Sequence, residues 1–170
     1  FNSPIRLNSY LYPDFTTANG WSMVDHGAQQ WIDAGFPAAQ LAIALPFYTS
    51  YNPSEDAPNQ TIVGGNRQFR TYQQYLNAYA VNTTNATLVR SFDDSAKCSW
   101  MGYTSGGTKS FWSYDDSVAF YWKIKYAQDL SLGGIMLFDL GSGFVTTTQA
   151  NPLLSAVKNI MNIAPTNPTS

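Results

Sequence analysis

Few side chains in this sequence can do chemistry, and they are scattered. Glu55 is the single glutamate, and it lies in a stretch with Asn52, Pro53 and Pro58 that reads as a loop. Asp115-Asp116 stands just before a helical pattern and fits an N-cap better than an acid pair. Asp93-Asp94 reads as a turn, Asp14 as a loop carboxylate, and Asp139 points away from the face that carries Phe138. His26 is the only histidine and reads as a helix-surface residue. Cys98 is the only cysteine. A lone histidine with no cysteine cluster offers no metal site, so no metal and no cofactor is expected. Cys98 has no partner within the sequence and is either free or paired to a segment outside it. Gly141-Ser142-Gly143 is a loop without the Gly-x-Ser-x-Gly spacing of a nucleophile elbow. No glycine-rich phosphate cradle is present.

The aromatic residues are the other chemical resource: five Trp, eleven Tyr and ten Phe in 170 residues. Rings in that number fill cores, and they also stack on the apolar faces of sugars. Charged residues make up 12% and the formal net charge is -2, which gives no field to gather nucleic acid or an anionic membrane. No run of about 20 apolar residues is available to span a bilayer. The sequence opens Phe1-Asn2-Ser3-Pro4 without Met, and we expect a processed, trimmed or partial chain. Asn59, Asn82 and Asn85 each begin an Asn-x-Ser/Thr triplet, an expectation of a secreted or extracellular setting.

The periodicity shows which elements position these residues. Ile5–Tyr12 alternates as a strand, with Asn8 and Tyr10 on one face. Asp25–Ala34 is a helix with Ala28, Trp31 and Ile32 on one side and Gly35 as its stop. Gln40–Tyr48 is a second strand: Leu41, Ile43, Leu45 and Phe47 share one face, Ala42, Ala44 and Tyr48 the other. From Ser50 to about Trp112 the pattern breaks into one helix, Thr71–Tyr79, and short strands near 88–92, 99–103 and 109–113. Ser105-Gly106-Gly107 is the hairpin turn between the last two. Ser117–Leu130 is then helical, with Phe120, Ile124 and Ala127 on one face, and Gly133–Leu140 is a third strand. Asn151 caps a last helix with Pro152 at its first position, and a tail follows from Ala164.

Strands alternating with helices predict a parallel sheet. A closed barrel takes eight such units and about 250 residues, so three units form part of a larger barrel or a small open sheet. Each strand has large aliphatics on one face and small, polar or aromatic residues on the other, with the aromatics toward the C-terminal ends. That asymmetry favours a barrel, because a doubly wound sheet buries both faces under helices. The expected fold is α/β, the C-terminal portion of a (β/α)8 TIM barrel with a small α+β insertion. Its parts are residues 1–49 (strand, helix, strand), 50–113 (insertion), 114–164 (helix, strand, helix) and 165–170 (tail).

Three ordered segments resemble glycoside hydrolase family 18, the chitinase-type family. Gly35-Phe36-Pro37 through Leu45-Pro46-Phe47-Tyr48 is similar to the entry into that family's seventh strand. Trp112-Ser113-Tyr114-Asp115-Asp116 is similar to the Ser-Tyr-Asp-Asp stretch closing its insertion. Leu132-Gly133-Gly134-Ile135-Met136-Leu137-Phe138 is similar to its eighth strand. The resemblance implies chemistry on β-1,4-linked N-acetylglucosamine polymers, in which a Glu protonates the glycosidic oxygen and the substrate's N-acetyl carbonyl is the nucleophile. It implies substrate-binding roles for Tyr10, matching the Tyr of a Met-x-Tyr-Asp motif, for Tyr48 on the pocket wall, and for Met136 and Phe138 on its floor.

The departures are as specific. The family's Asp-x-x-Asp-x-Asp-x-Glu motif does not occur, so no catalytic residue is assigned and the chain by itself is expected to be inactive. Leu11 stands in place of the sixth-strand Asp. Thr49 and Ser50 stand where Gly and Arg often follow the seventh strand, Ala44 replaces a Gly, and Phe138 replaces the floor Trp. Tyr10 and Tyr48 also fit ordinary core tyrosines, and Met136 and Phe138 fit plain core packing. Three readings follow: part of a chitinase-like hydrolase, a non-catalytic chitin-oligosaccharide binder of the lectin kind, or a small α/β interaction domain without a sugar site. The expected partners are chitin or N-acetylglucosamine oligosaccharides, with an N-terminal barrel segment or a second copy covering the open sheet; neither nucleic acid nor membrane is expected.

Overall fold

The computed structural model describes residues 7–13, 23–58, 60 and 67–162. The last residues of the chain, including the tail from Ala164, lie outside them, as do Asp14 and Asn59. Two sheets are built. The first is a parallel pair, β1 (Ala42–Pro46) and β7 (Gly134–Phe138), in the register Ala42↔Gly134, Ala44↔Met136 and Pro46↔Phe138. The second is antiparallel, in the order β3-β2-β6-β5-β4, from β2 (Tyr48–Asn52), β3 (Gln68–Thr71), β4 (Val89–Asp93), β5 (Cys98–Ser105) and β6 (Thr108–Tyr114).

The helices α1 (Val24–Asp33), α3 (Ser117–Asp129) and α4 (Pro152–Asn162) all lie on one side of the parallel pair. Ile43, Leu45 and Phe47 bury their side chains there, in two clusters: Leu45 and Phe47 with Phe120, Ile124, Leu153 and Val157, and Ile43 with Leu11, Ala28, Tyr126 and Ala127. Each fully buried Leu, Ile or Phe contributes about 1.5–3 kcal/mol, so this one-sided packing holds the layer together. On the other side Ala42 and Ala44 are exposed, and Met136 and Phe138 are 48% and 55% exposed. Helices on one face and an open face opposite is the layering of a barrel wall.

The ends of the helices follow from their sequences. Gly35, at φ +90°, ends α1. Asp116 caps α3 by accepting from the Val118 and Ala119 backbone N–H groups at 3.0 and 3.1 Å, and Asn151 Oδ1 accepts from Leu154 N at 2.9 Å to cap α4. Thr71 and Gln74 form a capping box at the start of α2 (Tyr72–Asn82). The helix packs through Tyr75 onto Met101, Trp112 and Tyr114 of the antiparallel sheet.

Several expectations are corrected. The described part of the predicted strand Ile5–Tyr12 is irregular. Ser9 sits at φ +52°, which breaks the alternation, and Leu11 N donates to Ala96 O rather than to a neighbouring parallel strand. The predicted strand Gln40–Tyr48 is two strands: Phe47 N still bonds to Phe138 O at 2.8 Å, but Tyr48 begins β2 in the other sheet. Trp31 is 60% exposed and stacks edge-on with Phe36, so it is not part of the core-facing side of α1. β3 had no alternation by which to be read. Asn82, the start of one sequon, is buried at the end of α2 and donates to Ala78 O, as burial requires of a polar side chain.

Gly133 shows why the glycine pair before β7 is needed. A Cβ there would stand 2.3 Å from Ala39 O, in the turn that feeds β1. Gly133→Ala is expected to push these two strand entries apart and to cost about 1–3 kcal/mol. Urea unfolding would measure it; a variant as stable as the parent would show that the close approach constrains nothing.

Candidate functional site

At the C-terminal ends of β1 and β7 the open face forms a half-open pocket of about 130 Å³, lined by Ser9, Ala44, Pro46, Tyr48, Met136 and Phe138. The register explains the lining. Ala44 lies opposite Met136 and Pro46 opposite Phe138, so one face of the pair supplies a floor of two large side chains beside a small residue and a ring. Tyr48 rises as the wall because the chain bends out of β1 into β2 at that residue. Its ring meets Phe138 edge to face, with centroids 6.3 Å apart and planes at 88°. Complete small-molecule sites enclose about 300–1,000 Å³. A pocket of this size is therefore a floor and one wall, able to stack a ring but not to enclose one.

Three of the four predicted binding residues, Tyr48, Met136 and Phe138, are thus brought together. Tyr10 is not. It is buried with Leu7, Ala96, Cys98 and Phe111, and its hydroxyl has no hydrogen-bond partner among the described residues. The left-handed turn at Ser9 is the physical reason: it puts Ser9, instead of Tyr10, at the pocket. None of the six lining residues carries a carboxyl group. Asp139, next to Phe138 across a cis peptide, is spent on its own loop, where its Oδ1 accepts from Ser142 N at 2.7 Å. Glu55 is buried in its loop.

The sequence reading missed the polar layer beneath the pocket. Lys123 of α3 and Asp115, both fully buried, form an ion pair, and Lys123 Nζ also donates to Ser9 Oγ at 3.3 Å. The pair therefore ties α3 to the end of the insertion and holds the pocket-lining Ser9. Burial pushes the Asp115 carboxyl up to about 6, against the pull of the Lys123 ammonium, which lowers it. Cys98 lies alongside as a free thiol, donating to Asn8 O at 2.9 Å, and burial first, then the Asp115 charge, pushes it up to about 12. Such a thiol stays protonated and inert at neutral pH. A lysine in the middle of an apolar helix face reads as a solvated residue in sequence; nothing local identifies its partner eight residues earlier.

Arg67 was also missed. Its Nε donates to Ser50 Oγ at 2.7 Å and its Nη2 to Asn8 Oδ1 at 3.0 Å. A guanidinium thus stands over Ser50, the position where the resembled family often carries Arg. Among the described residues no group of three or more His, Cys, Asp or Glu side chains could hold a metal ion.

Comparison with known proteins gives the family and the fold. The sequence profile described as glycosyl hydrolases family 18 matches residues 1–143. Chitinase A1 of Niallia circulans is 32% identical over 167 residues, which cover 93% of this chain and 23% of that protein. Among solved structures, catalytic domain 2 of the Ostrinia furnacalis group II chitinase superposes with a TM-score of 0.79 at 16% identity, covering 98% of this chain and 46% of that one. Human YKL-39, described as a pseudo-chitinase with retained chitooligosaccharide binding properties, superposes with a TM-score of 0.76 at 18% identity, covering 94% and 46%. The structural likenesses show the fold, an α/β portion of the chitinase TIM barrel. The chain spans less than half the length of each of these proteins.

Removing one member of a buried pair strands the other charge, which costs about 3–5 kcal/mol, whereas replacing both is close to neutral. Lys123→Met is expected to destabilise by that amount in urea unfolding, and Asp115→Asn added to it to recover most of the loss. A Lys123→Met variant of parental stability would show that the pair does not hold the pocket's base.

Proposed function

The chain belongs to glycosyl hydrolases family 18, and from that premise we propose that it forms the aromatic floor and wall on which a chitinase-like protein holds N-acetylglucosamine polymers. The observation that carries this reading is the meeting of Tyr48, Met136 and Phe138 around one pocket at the C-terminal ends of two parallel strands, the end where barrel enzymes keep their sites. The rings offer flat apolar surface to a sugar ring, and the Tyr48 hydroxyl offers a donor or acceptor to its polar edge.

In this reading the described residues bind and orient the sugar and do not protonate it. Hydrolysis by the family's route needs a carboxylic acid at the glycosidic oxygen, and no lining residue can supply one. The same observation favours a second reading, a lectin-like chitin-oligosaccharide binder with no catalysis at all. The two differ in whether the full protein carries the Asp-rich motif with its Glu. We also place the protein outside the cell, in keeping with a polymeric substrate. β1 and β7 pair with no other described strand, and open edges above an exposed apolar face recruit a covering surface. That cover is a preceding barrel segment or, for this chain alone, a second copy.

The test is titration with N-acetylglucosamine oligomers, followed by tryptophan fluorescence or calorimetry. Binding in the millimolar range or tighter is expected, with no hydrolysis above background, and Tyr48→Ala is expected to weaken it by about 1–3 kcal/mol. No response at millimolar sugar rejects the reading, and unchanged affinity removes Tyr48 from the site. By sedimentation the chain alone is expected to self-associate; a well-behaved monomer would contradict the open-sheet argument.

A further inference from the structure

We infer that Arg67 makes the rim of the pocket an anion-binding subsite, so that the sugar chain it takes carries a carboxylate on the ring next to an N-acetylglucosamine unit. The inference rests on the proposed function and narrows its substrate class. Two contacts fix where the cation stands. Arg67 lies just before β3 and is exposed. Its Nε donates to Ser50 Oγ at 2.7 Å and its Nη2 to Asn8 Oδ1 at 3.0 Å. Ser50 follows the wall residue Tyr48 by two positions on β2, so the two share a face. Asn8 is the neighbour of the lining residue Ser9. The guanidinium therefore bridges the two segments that bring Tyr48 and Ser9 to the pocket.

What Arg67 lacks is a counter-charge. The ion pairs among the described residues are Lys97–Asp94, Lys109–Asp56, Lys123–Asp115 and Lys125–Asp129, and Arg67 takes part in none of them. The side chain is exposed as a whole, but the protein around the guanidinium strips away enough water to pull its pKa down. Tyr48, Cys98 and Tyr10 act against that shift, and none of them is a carboxylate. The layer behind the guanidinium is short of acceptors too. Asn8 spends its Oδ1 on Arg67, and its Nδ2 is buried with no hydrogen-bond partner among the described residues. The described bonds of Arg67 use Nε and one N–H of Nη2, and Nη1 has no partner among the described residues. A neutral sugar hydroxyl would satisfy a donor here and leave the charge uncompensated. A carboxylate takes the edge of a guanidinium through two parallel bonds and brings the missing charge. It can reach this position as a uronic acid or as a lactyl ether on the adjacent ring.

The test is calorimetry with oligosaccharides of equal length: the N-acetylglucosamine tetramer, the tetramer alternating N-acetylglucosamine with glucuronic acid, and the tetramer alternating N-acetylglucosamine with N-acetylmuramic acid. At low salt the parent chain is expected to bind an acidic tetramer roughly three- to thirtyfold more tightly than the neutral one, the worth of a charge-assisted contact at an exposed rim. Which acidic tetramer it prefers identifies the source of the carboxylate. Arg67→Gln is expected to abolish the preference and Arg67→Lys to keep part of it. Should Arg67→Gln not fold, the parent decides by itself. Its preference is expected to shrink several-fold between roughly 20 and 500 mM salt, because screening weakens a charge contact and spares a stacked ring. A parent that binds the neutral tetramer as tightly as both acidic ones overturns this inference and leaves the proposed function standing. So does a preference that persists in Arg67→Gln or in high salt. A parent that binds none of the tetramers sinks both.

Discussion

The parallel pairing of β1 with β7 is the constraint on which the rest depends. Two short strands far apart in sequence must lie side by side in the register that sets Ala44 beside Met136 and Pro46 beside Phe138. A shift of one residue would turn Ile43 and Leu45 out of the core and the pocket residues into it. What fixes the register is burial on one side only. α1, α3 and α4 clamp Ile43, Leu45 and Phe47, and the opposite face is left to small and aromatic side chains. Gly133, pressed against Ala39 O, lets the two strand entries approach closely enough for this pairing.

The antiparallel sheet gives the site its depth. It departs from the barrel layer at Tyr48, so the residue that ends one sheet's contribution starts the other's. The junction is held by polar contacts in which the buried Lys123 meets the buried Asp115 and the half-buried Ser9, and the exposed Arg67 meets the buried Ser50 and Asn8. Buried charges of this kind add little net stability over apolar packing but penalise any arrangement that separates them. Here they specify how α3, the insertion and the Leu7–Pro13 segment sit around one pocket.

The aromatic excess divides accordingly. Tyr75, Tyr114, Phe111 and Phe120 are fully enclosed and act as core, so the plain packing reading of an aromatic-rich chain holds for these rings. Phe69 and Phe138 are exposed and linked through Tyr48. Composition cannot make that distinction. It depends on which rings face the helices and which face the open side of the sheet.

Much of the fold was legible because it rests on short-range rules. Period-two alternation marked Ile43 and Leu45 against Ala42 and Ala44. Capping chemistry marked Asp116 and Asn151, and a Gly-Gly turn with both residues at positive φ joined β5 to β6. The motif around residues 35–48, 112–116 and 132–138 identified the family, and with it Tyr48, Met136 and Phe138 as neighbours. The sequence alone could not show that Ser9 takes a left-handed backbone and displaces Tyr10 from the pocket. Nor could it show that Lys123 finds Asp115, or that Phe69, from a strand with no alternation, and Arg67 just before it come to the wall. Each of those depends on a contact between segments distant along the chain. Local propensity determines which faces are apolar and where elements end; only the packed tertiary structure determines which polar and aromatic groups are left to meet.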